Sequence, residues 1–408
     1  CKDPTKPGGT WFDAYKQIKD YENIVPELYK YVQIGVAAEA RAKYFPIASW
    51  QDDVKKYEWR EGIKDSIDAT IEMLKPRKLL DIVKNFFFSR IEYGNATKVI
   101  TRYMQYRAAN KIVNRVLGHL AGEEDKNKGL IWHWQGSGKT LTMIFAAHKL
   151  YYNPILENPT IFFIVDRIEL EEQLYTEFYS LDILKPEIIG SVDELQKVLS
   201  YDSYRGKRGI FITLIHKFRK EELNVLQKYL EKVSQDKTTI MNRQNVIAFV
   251  DEGHRTQYGL LAAQMKAILR NAFFFAMTGT PISKPKHGRD TYEQFAYLPE
   301  EPYLDRYFIL ESIKDGFTTK IVYQPRLEEL HLKKDMLETF LEVELDEIPE
   351  FARTEVEAKT KARLNPINVF LENQTRIAQI AQDIAQHFKE NVDGKFKAMI
   401  VAASRKAC

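Results

Sequence analysis

The sequence predicts an α/β protein built on a parallel sheet with helices packed on both faces. Five short apolar runs carry that prediction, at residues 130–132 (Leu-Ile-Trp), 161–165, 210–212, 246–250 and 273–277. They are continuous rather than alternating, as suits strands covered on both faces, and the segments between them are rich in helix formers. The third observation is a glycine-rich turn, Gly136-Ser137-Gly138, set between the first run and a helical pattern that reaches Lys149.

At 408 residues the chain exceeds one ordinary core, so two or more domains are expected. Apolar residues make up 44% and charged residues 29%, the balance of a soluble globular protein. The longest apolar stretches, such as 272–277, fall far short of a bilayer span, and no secretory leader opens the chain. Two cysteines, Cys1 and Cys408, stand at opposite ends and offer no disulfide framework. A cytoplasmic protein without a membrane partner is the expectation. With 60 basic and 57 acidic residues the net charge is only +3, so local clusters must carry any argument for nucleic acid.

Along the chain, residues 1–50 are mixed, with a loop at Lys6-Pro7-Gly8-Gly9 and a helix expected from Trp11 to Tyr21. Residues 51–96 are charged and read as a helical connector broken at Pro76. The α/β texture occupies 97–285. Residues 286–390 form an acidic linker and helical segment, and 391–408 a turn at Asp393-Gly394 followed by an apolar strand over 396–403. Both chain ends read as cuts through a longer protein.

The first run ends in His133-Trp134-Gln135-Gly136-Ser137-Gly138-Lys139-Thr140. Glycines let backbone N–H groups close round phosphate oxygens, and the following helix presents the positive end of its dipole. Lys139 would reach the β- and γ-phosphates and the Thr140 hydroxyl would ligate Mg²⁺, which makes ATP and Mg²⁺ the expected cofactors. His133 stands where the generic loop has its first glycine. The fourth run delivers Asp251-Glu252-Gly253-His254 at its carboxyl end, where open parallel sheets bind ligands. Asp251 would hold Mg²⁺ through its water shell, Glu252 would polarise the attacking water, and His254 could link them to the next motif. The fifth run leads into Thr278-Gly279-Thr280-Pro281, whose hydroxyls can bond the carboxylates and respond to the γ-phosphate. By itself that segment is also what a plain turn looks like.

In this order the three segments resemble motifs I, II and III of superfamily 2 helicases. Their surroundings resemble the R (motor and nuclease) subunit of type I restriction enzymes. Residues 103–109 (Tyr-Met-Gln-Tyr-Arg-Ala-Ala) are similar to the glutamine motif, which implies that Gln105 reads the adenine edge. Residues 163–174 are similar to motif Ia, 213–218 to the motif after it, and 251–259 to the extended form Asp-Glu-x-His-Arg-x-Gln-Tyr-Gly. Residues 313–317 and 398–408 also fit, the latter as the entry to a second motor lobe, so the likeness covers nearly the whole chain. It implies a RecA-like first lobe over 97–285 and ATP-driven translocation of double-stranded DNA. Cleavage would occur away from the recognition site, with modification (methyltransferase) and specificity subunits as partners. It also implies a nuclease before the motor, with Lys2 as its lysine and Gln17 and Tyr21 as its second element.

For DNA, the candidates at the end of the third run are Thr213 and Lys217, with Arg255 and Gln257 as links to the ATP site. Further basic clusters are Arg205, Lys207 and Arg208 before that run, Arg219 and Lys220 after it, and Lys284, Lys286 and Arg289. Two other functions stay open from the residues alone: a stand-alone superfamily 2 helicase in DNA repair, and a non-catalytic DNA-binding scaffold.

Overall fold

The computed structural model describes residues 9–92, 94–165, 168–181, 185–214, 217–233, 236–251, 264–281, 283–284, 289–320, 374–402, 404 and 408. The chain divides into two units, Cys1–Lys320 and Ile321–Cys408.

The first unit opens with α1 (Trp11–Ile24), whose amino end is capped by Thr10 and Asp13 in a reciprocal pair. A short α2 (Pro26–Tyr29) and an antiparallel hairpin of β1 (Ile34–Ala38) and β2 (Ala42–Pro46) follow. Tyr15, Ala37, Phe45 and Ile47 give these elements a small core of their own. The segment expected to be a helical connector is helical at α3 (Ser66–Met73) and α4 (Pro76–Asn85), the latter with Pro76 in its first turn. Its end is not helical. β3 (Phe87–Glu92) pairs antiparallel with β4 (Asn95–Ile100) around Gly94, which has the positive φ of +79° such a turn needs. The aromatic run 86–88 favours a strand there over a charged helix.

Next come α5 (Tyr103–Leu120), β5 (Lys128–His133), α6 (Lys139–Tyr151), β6 (Thr160–Val165), α7 (Ile168–Ser180), β7 (Glu187–Ile189) and α8 (Val192–Tyr204). They are followed by β8 (Gly209–Leu214), α9 (Lys220–Val233), β9 (Val246–Asp251) and β10 (Phe273–Thr278). The unit closes with a two-residue ribbon of β11 (Ser283–Lys284) and β12 (Arg289–Asp290), α10 (Thr291–Phe295), β13 (Asp305–Tyr307) and α11 (Ile309–Lys314). Each of the five apolar runs is a strand of one sheet in the order β13-β5-β10-β9-β6-β8-β7, with every pairing parallel. This is the RecA-like α/β sheet the sequence predicts. It also takes in β13, which lies past residue 285, and the edge strand β7.

Burial along β6, β9 and β10 is continuous, and the period of two sorts their side chains onto the two faces. Phe163, Phe249 and Phe275 face one core, Phe163 stacking on Phe249 at 5.2 Å and Phe249 lying 6.1 Å from Phe275. Phe162, Ala248 and Phe274 face the other. Two apolar faces of this kind require helices on both sides, and that layering holds all the carboxyl ends of the strands along one edge.

In the second unit α12 (Gln374–His387) runs into a π-helical turn, Phe388–Val392, and Gly394 makes the expected turn with φ +71°. The apolar segment after it is not a strand. Among the described residues, 396–402 have no ladder partner, and Phe396, Met399, Ile400 and Val401 are exposed. A β-strand is stabilised only by the neighbour that takes up its N–H and C=O groups, which apolar composition cannot supply. Among the described residues no helix is long and apolar enough to cross a membrane.

Candidate active site

The phosphate loop lies where β5 meets α6. Gly136 and Gly138 both adopt φ of +80°, the left-handed region that side chains avoid, and Gly138 stands directly before the first turn of α6. The next turn closes with the Thr142 hydroxyl donating to the Gly138 carbonyl at 3.2 Å. Lys139 and Thr140 are half-buried in that first turn. Ser137 is fully buried, and its Oγ has no hydrogen-bond partner in the protein. A buried orphan hydroxyl is costly, and Ser137 stands just before the amino end of α6. That arrangement fits an anion.

Gln105 braces the loop. Its Oε1 accepts from the Arg102 N–H at 2.9 Å, closing the amino end of α5, and its Nε2 donates to the Gly138 carbonyl at 3.1 Å. A Cβ on Gly138 would collide with that amide nitrogen. The side chain expected to read a base edge is thus also the strut between α5 and the phosphate loop. Arg102 adds a second strut, donating to the Gly136 carbonyl at 3.2 Å while its guanidinium lies 4.2 Å over the Phe317 ring. Asp315, two residues before Phe317, accepts from the Tyr103 and Tyr307 hydroxyls at 2.9 and 2.8 Å and pairs with Arg60 at 2.7 Å. Burial and that carboxylate push both phenols up, so both remain donors.

The third motif meets the loop across one strand spacing. Thr278 is in register with Trp132, and the Trp132 indole donates to the Gly279 carbonyl at 3.1 Å. A Cβ on Gly279 would come within 3.4 Å of the His133 carbonyl oxygen, so the two loops are in close approach. Thr278 Oγ1 accepts from the Thr280 N–H at 3.1 Å, which fixes the turn. Asp251 ends β9 and is buried, in register with Met277 on β10. Because β10 lies between β9 and β5, Asp251 and the phosphate loop are two strand spacings apart, about 10 Å. A hydroxyl and a carboxylate at that separation are hard oxygen donors of the kind Mg²⁺ takes through waters. Glu252, His254, Arg255 and Gln257 lie outside the described residues, as do Lys2 and the side chains of Lys284 and Arg289.

The sequence reading missed the partner of His133. Its Nε2 lies 2.8 Å from Asp305 Oδ2, with both side chains buried. Arg107 forks onto the same carboxylate at 2.8 and 2.9 Å, and Lys111 reaches it at 2.9 Å. Burial pulls the imidazole below its ordinary range. The His133 hydrogen bond and the Arg107 fork hold Asp305 well below the carboxylate range despite its own burial. The result is a neutral histidine beside an ionised aspartate whose countercharge comes from α5. His133, in place of a glycine, therefore ties β5 to β13 directly beneath the phosphate loop. The signal lay in Arg107 and Asp305 only jointly, and they are 198 residues apart.

Among the DNA candidates, Thr213 is corrected. It is fully buried and donates to the Ile189 carbonyl at 3.2 Å, so it joins β8 to β7 and cannot reach a phosphate. Lys217 is exposed and paired with Glu171 at 3.2 Å. Arg205 and Arg208 stand at the opposite end of β8 from Lys217, about 20 Å away along a six-residue strand. In α1, Gln17 Nε2 donates to the Tyr21 hydroxyl at 2.6 Å, as a spacing of four on one helix face allows.

A family model for the SWI2/SNF2 ATPase matches residues 104–355. A Methanocaldococcus jannaschii protein named as the MjaVIIIP type I restriction endonuclease subunit is 34% identical over 98% of this chain and 40% of its own length. The HindI type I restriction endonuclease subunit of Haemophilus influenzae is 31% identical over 100% of this chain and 38% of its own. The chain thus spans about two fifths of the length of these curated relatives. Among solved structures, the UvsW helicase of bacteriophage T4 is 13% identical with a TM-score of 0.34, over 68% of this chain and 100% of that one.

Proposed function

Since the chain belongs to the SWI2/SNF2 ATPase family, we propose that it is the motor portion of a type I restriction endonuclease subunit. ATP hydrolysis would drive translocation along double-stranded DNA, coupled in the whole protein to cleavage away from the recognition sequence. The observation that carries this is the loop itself: two left-handed glycines, an orphaned buried Ser137 hydroxyl and the amino end of α6, on the same sheet edge as Asp251. Lys139 and the loop N–H groups would hold the nucleotide phosphates. Thr140 and Asp251 would hold Mg²⁺, which when bound neutralises charge building on the transferred group. Glu252 would orient the attacking water, His254 would link that site to the next motif, and Thr278, Gly279 and Thr280 would respond to the γ-phosphate.

On this reading Gln105 couples base recognition to the phosphate loop, because one amide reaches both α5 and Gly138. Lys217 and Arg255 are the DNA contacts, and Lys2, Gln17 and Tyr21 belong to a nuclease preceding the motor. The proposed division places nuclease residues in 1–50, a connector in 51–96, the first motor lobe in 97–285, a linker in 286–390 and the entry to a second lobe in 391–408. Sequence recognition then falls to specificity and modification subunits. Glu252→Gln tests the core of the proposal. In the complete subunit with duplex DNA, phosphate release should disappear while labelled ATP still binds. A folded variant that releases phosphate at the parent rate refutes the assignment.

A further inference from the structure

At the amino ends of the strands, the edge opposite the phosphate loop, lies an open cavity of about 870 Å³. Its cations are Arg205, Arg208, Lys237 and Arg243, and among the described residues no carboxylate lines it. Arg208 immediately precedes β8, and Arg243 reaches back to Thr160, the first residue of β6. Two segments, 205–208 and 237–243, thus bring four positive charges to one place.

Arg243 is the telling member. Its side chain lies in a residue that is only 6% exposed, yet all its partners are neutral. Nε donates to Asn245 Oδ1 at 2.9 Å, one terminal nitrogen to Thr160 Oγ1 at 3.1 Å, and the other to the Arg205 carbonyl. Those bonds engage three of the five guanidinium N–H groups, which leaves two for a ligand. A buried guanidinium ordinarily meets a carboxylate, as Arg107 meets Asp305 elsewhere in this sheet. Here the charge that acts on it is a like one: burial and then Arg208 pull Arg243 down to about 9. Arg208 is itself lowered, first by burial, with Arg205 opposing its charge and Glu157 and Asp202 supporting it. The acids nearby are peripheral. Asp202 lies 3.7 Å from Arg205 with both side chains more than half exposed, and Asp236 is spent on the Thr238 N–H. Clipping three segments together accounts for where Arg243 sits, but a neutral side chain could do that. It does not account for a buried guanidinium that has no carboxylate partner and feels the like charge of Arg208.

We propose that this cavity is a phosphate-binding site, separate from the nucleotide site, that takes the phosphodiester groups of a nucleic acid strand passing the amino edge of the sheet. Guanidinium forks match phosphate oxygens in pairs, and the exposed rim of Arg205, Arg208 and Lys237 around one buried Arg243 suits a chain of phosphates better than a single enclosed one. The site owes nothing to base contacts, so it would act on any sequence.

The test is made on the nucleotide-free chain, so its outcome is independent of the ATPase reading. Binding of a short fluorescent duplex of arbitrary sequence is measured against salt for the parent and for Arg205→Gln/Arg208→Gln/Lys237→Gln, whose rim positions leave the fold alone. Calorimetry with inorganic pyrophosphate and competition by polyglutamate complete it. Duplex affinity should fall at least about tenfold in the triple variant, and the slope of log affinity against log salt should become shallower by about two to three. Lys217→Gln, on the opposite edge, should leave that difference intact. Pyrophosphate binding that the triple variant loses, with duplex binding unchanged, assigns the same chemistry to a small phosphate. Equal affinities and slopes in parent and variant, or polyglutamate outcompeting both phosphate ligands, overturns the proposal.

Discussion

The two edges of one sheet handle buried charge in opposite ways. At the carboxyl edge, Asp305 is buried with His133, Arg107 and Lys111 gathered on it, and every charge has its opposite within 3 Å. At the amino edge, Arg243 is buried among neutral acceptors with another guanidinium beside it. In the first arrangement every charge is answered within the chain, although His133 Nδ1 is buried without a hydrogen-bond partner, and the cluster serves as a rivet between β5 and β13. The second is unfinished, and so is the buried Ser137 hydroxyl in the phosphate loop. A buried charge answered within the chain holds the fold together; the proposed phosphate site rests on one that is not.

The largest effect expected from breaking this contrast is catalytic. Lys139→Ala in the complete subunit should lower DNA-stimulated ATP turnover at least about 10²-fold, the scale of losing one electrostatic contact to the transferred group. Its melting temperature should stay within a degree or two of the parent. A folded variant with undiminished turnover removes the phosphate-site assignment.

The rivet should respond the other way, in stability. Asp305→Asn strands Arg107 and Lys111 beside a neutral amide and should destabilise the first unit by about 3 kcal/mol in urea titration. Arg243→Gln, which removes a charge nothing neutralises, should cost only about 1 kcal/mol through its lost hydrogen bonds. Equal losses would erase the distinction between the edges. The pH profile follows from the shifts. His133 is depressed in the folded state, so the unfolded chain takes up its proton first and stability falls as pH drops below about 6.5. Asp305 is depressed too, so its contribution is present above the ordinary aspartate range and is lost only on further acidification.

How much of this could be read from sequence depends on how local the cause is. β5, β6, β8, β9 and β10 were legible because each is a continuous apolar run, and the phosphate loop because its glycines, lysine and threonine are consecutive. β7 and β13 were not: each has three residues at a sheet edge, and each contains an acid, Glu187 or Asp305. The segment 396–402 has a strand's composition and, among the described residues, lacks a strand's partner. Arg205 and Arg208 were visible, with Lys207, as a basic cluster before the third run, but nothing in that cluster pointed to Lys237 and Arg243 as its neighbours. Arg243, 83 residues from Thr160, carried no signal at all.

A smaller and sharper effect concerns Gly138. Gly138→Ala forces a side chain into the left-handed region and against the Gln105 amide. A loss of about 1–2 kcal/mol is expected from the backbone alone. If Gln105 is the strut described above, Gln105→Ala should relieve the steric part, so that the double variant is more stable than the sum of the two single changes by urea titration. Strict additivity would mean that the two residues do not act on each other.

The last effect is the smallest and separates ligand cradle from packing by its sign. Ser137 has no exposed surface, and its hydroxyl has no partner in the protein. If the side chain served only to fill space, Ser137→Ala would change nothing beyond a trivial loss of volume. An unpartnered buried hydroxyl is a burden on the folded protein, so its removal should leave stability unchanged or raise it by up to about 1 kcal/mol. If the hydroxyl completes its hydrogen bond on a nucleotide phosphate, the same substitution should weaken ATP binding about fivefold, the equivalent of about 1 kcal/mol. Titration of labelled nucleotide and a melting curve on one preparation give both numbers. Stability that holds or rises while affinity falls is the signature of a group placed for its ligand. A fall in stability with unchanged affinity would return Ser137 to the core and leave the glycines and Lys139 to hold the phosphates without it.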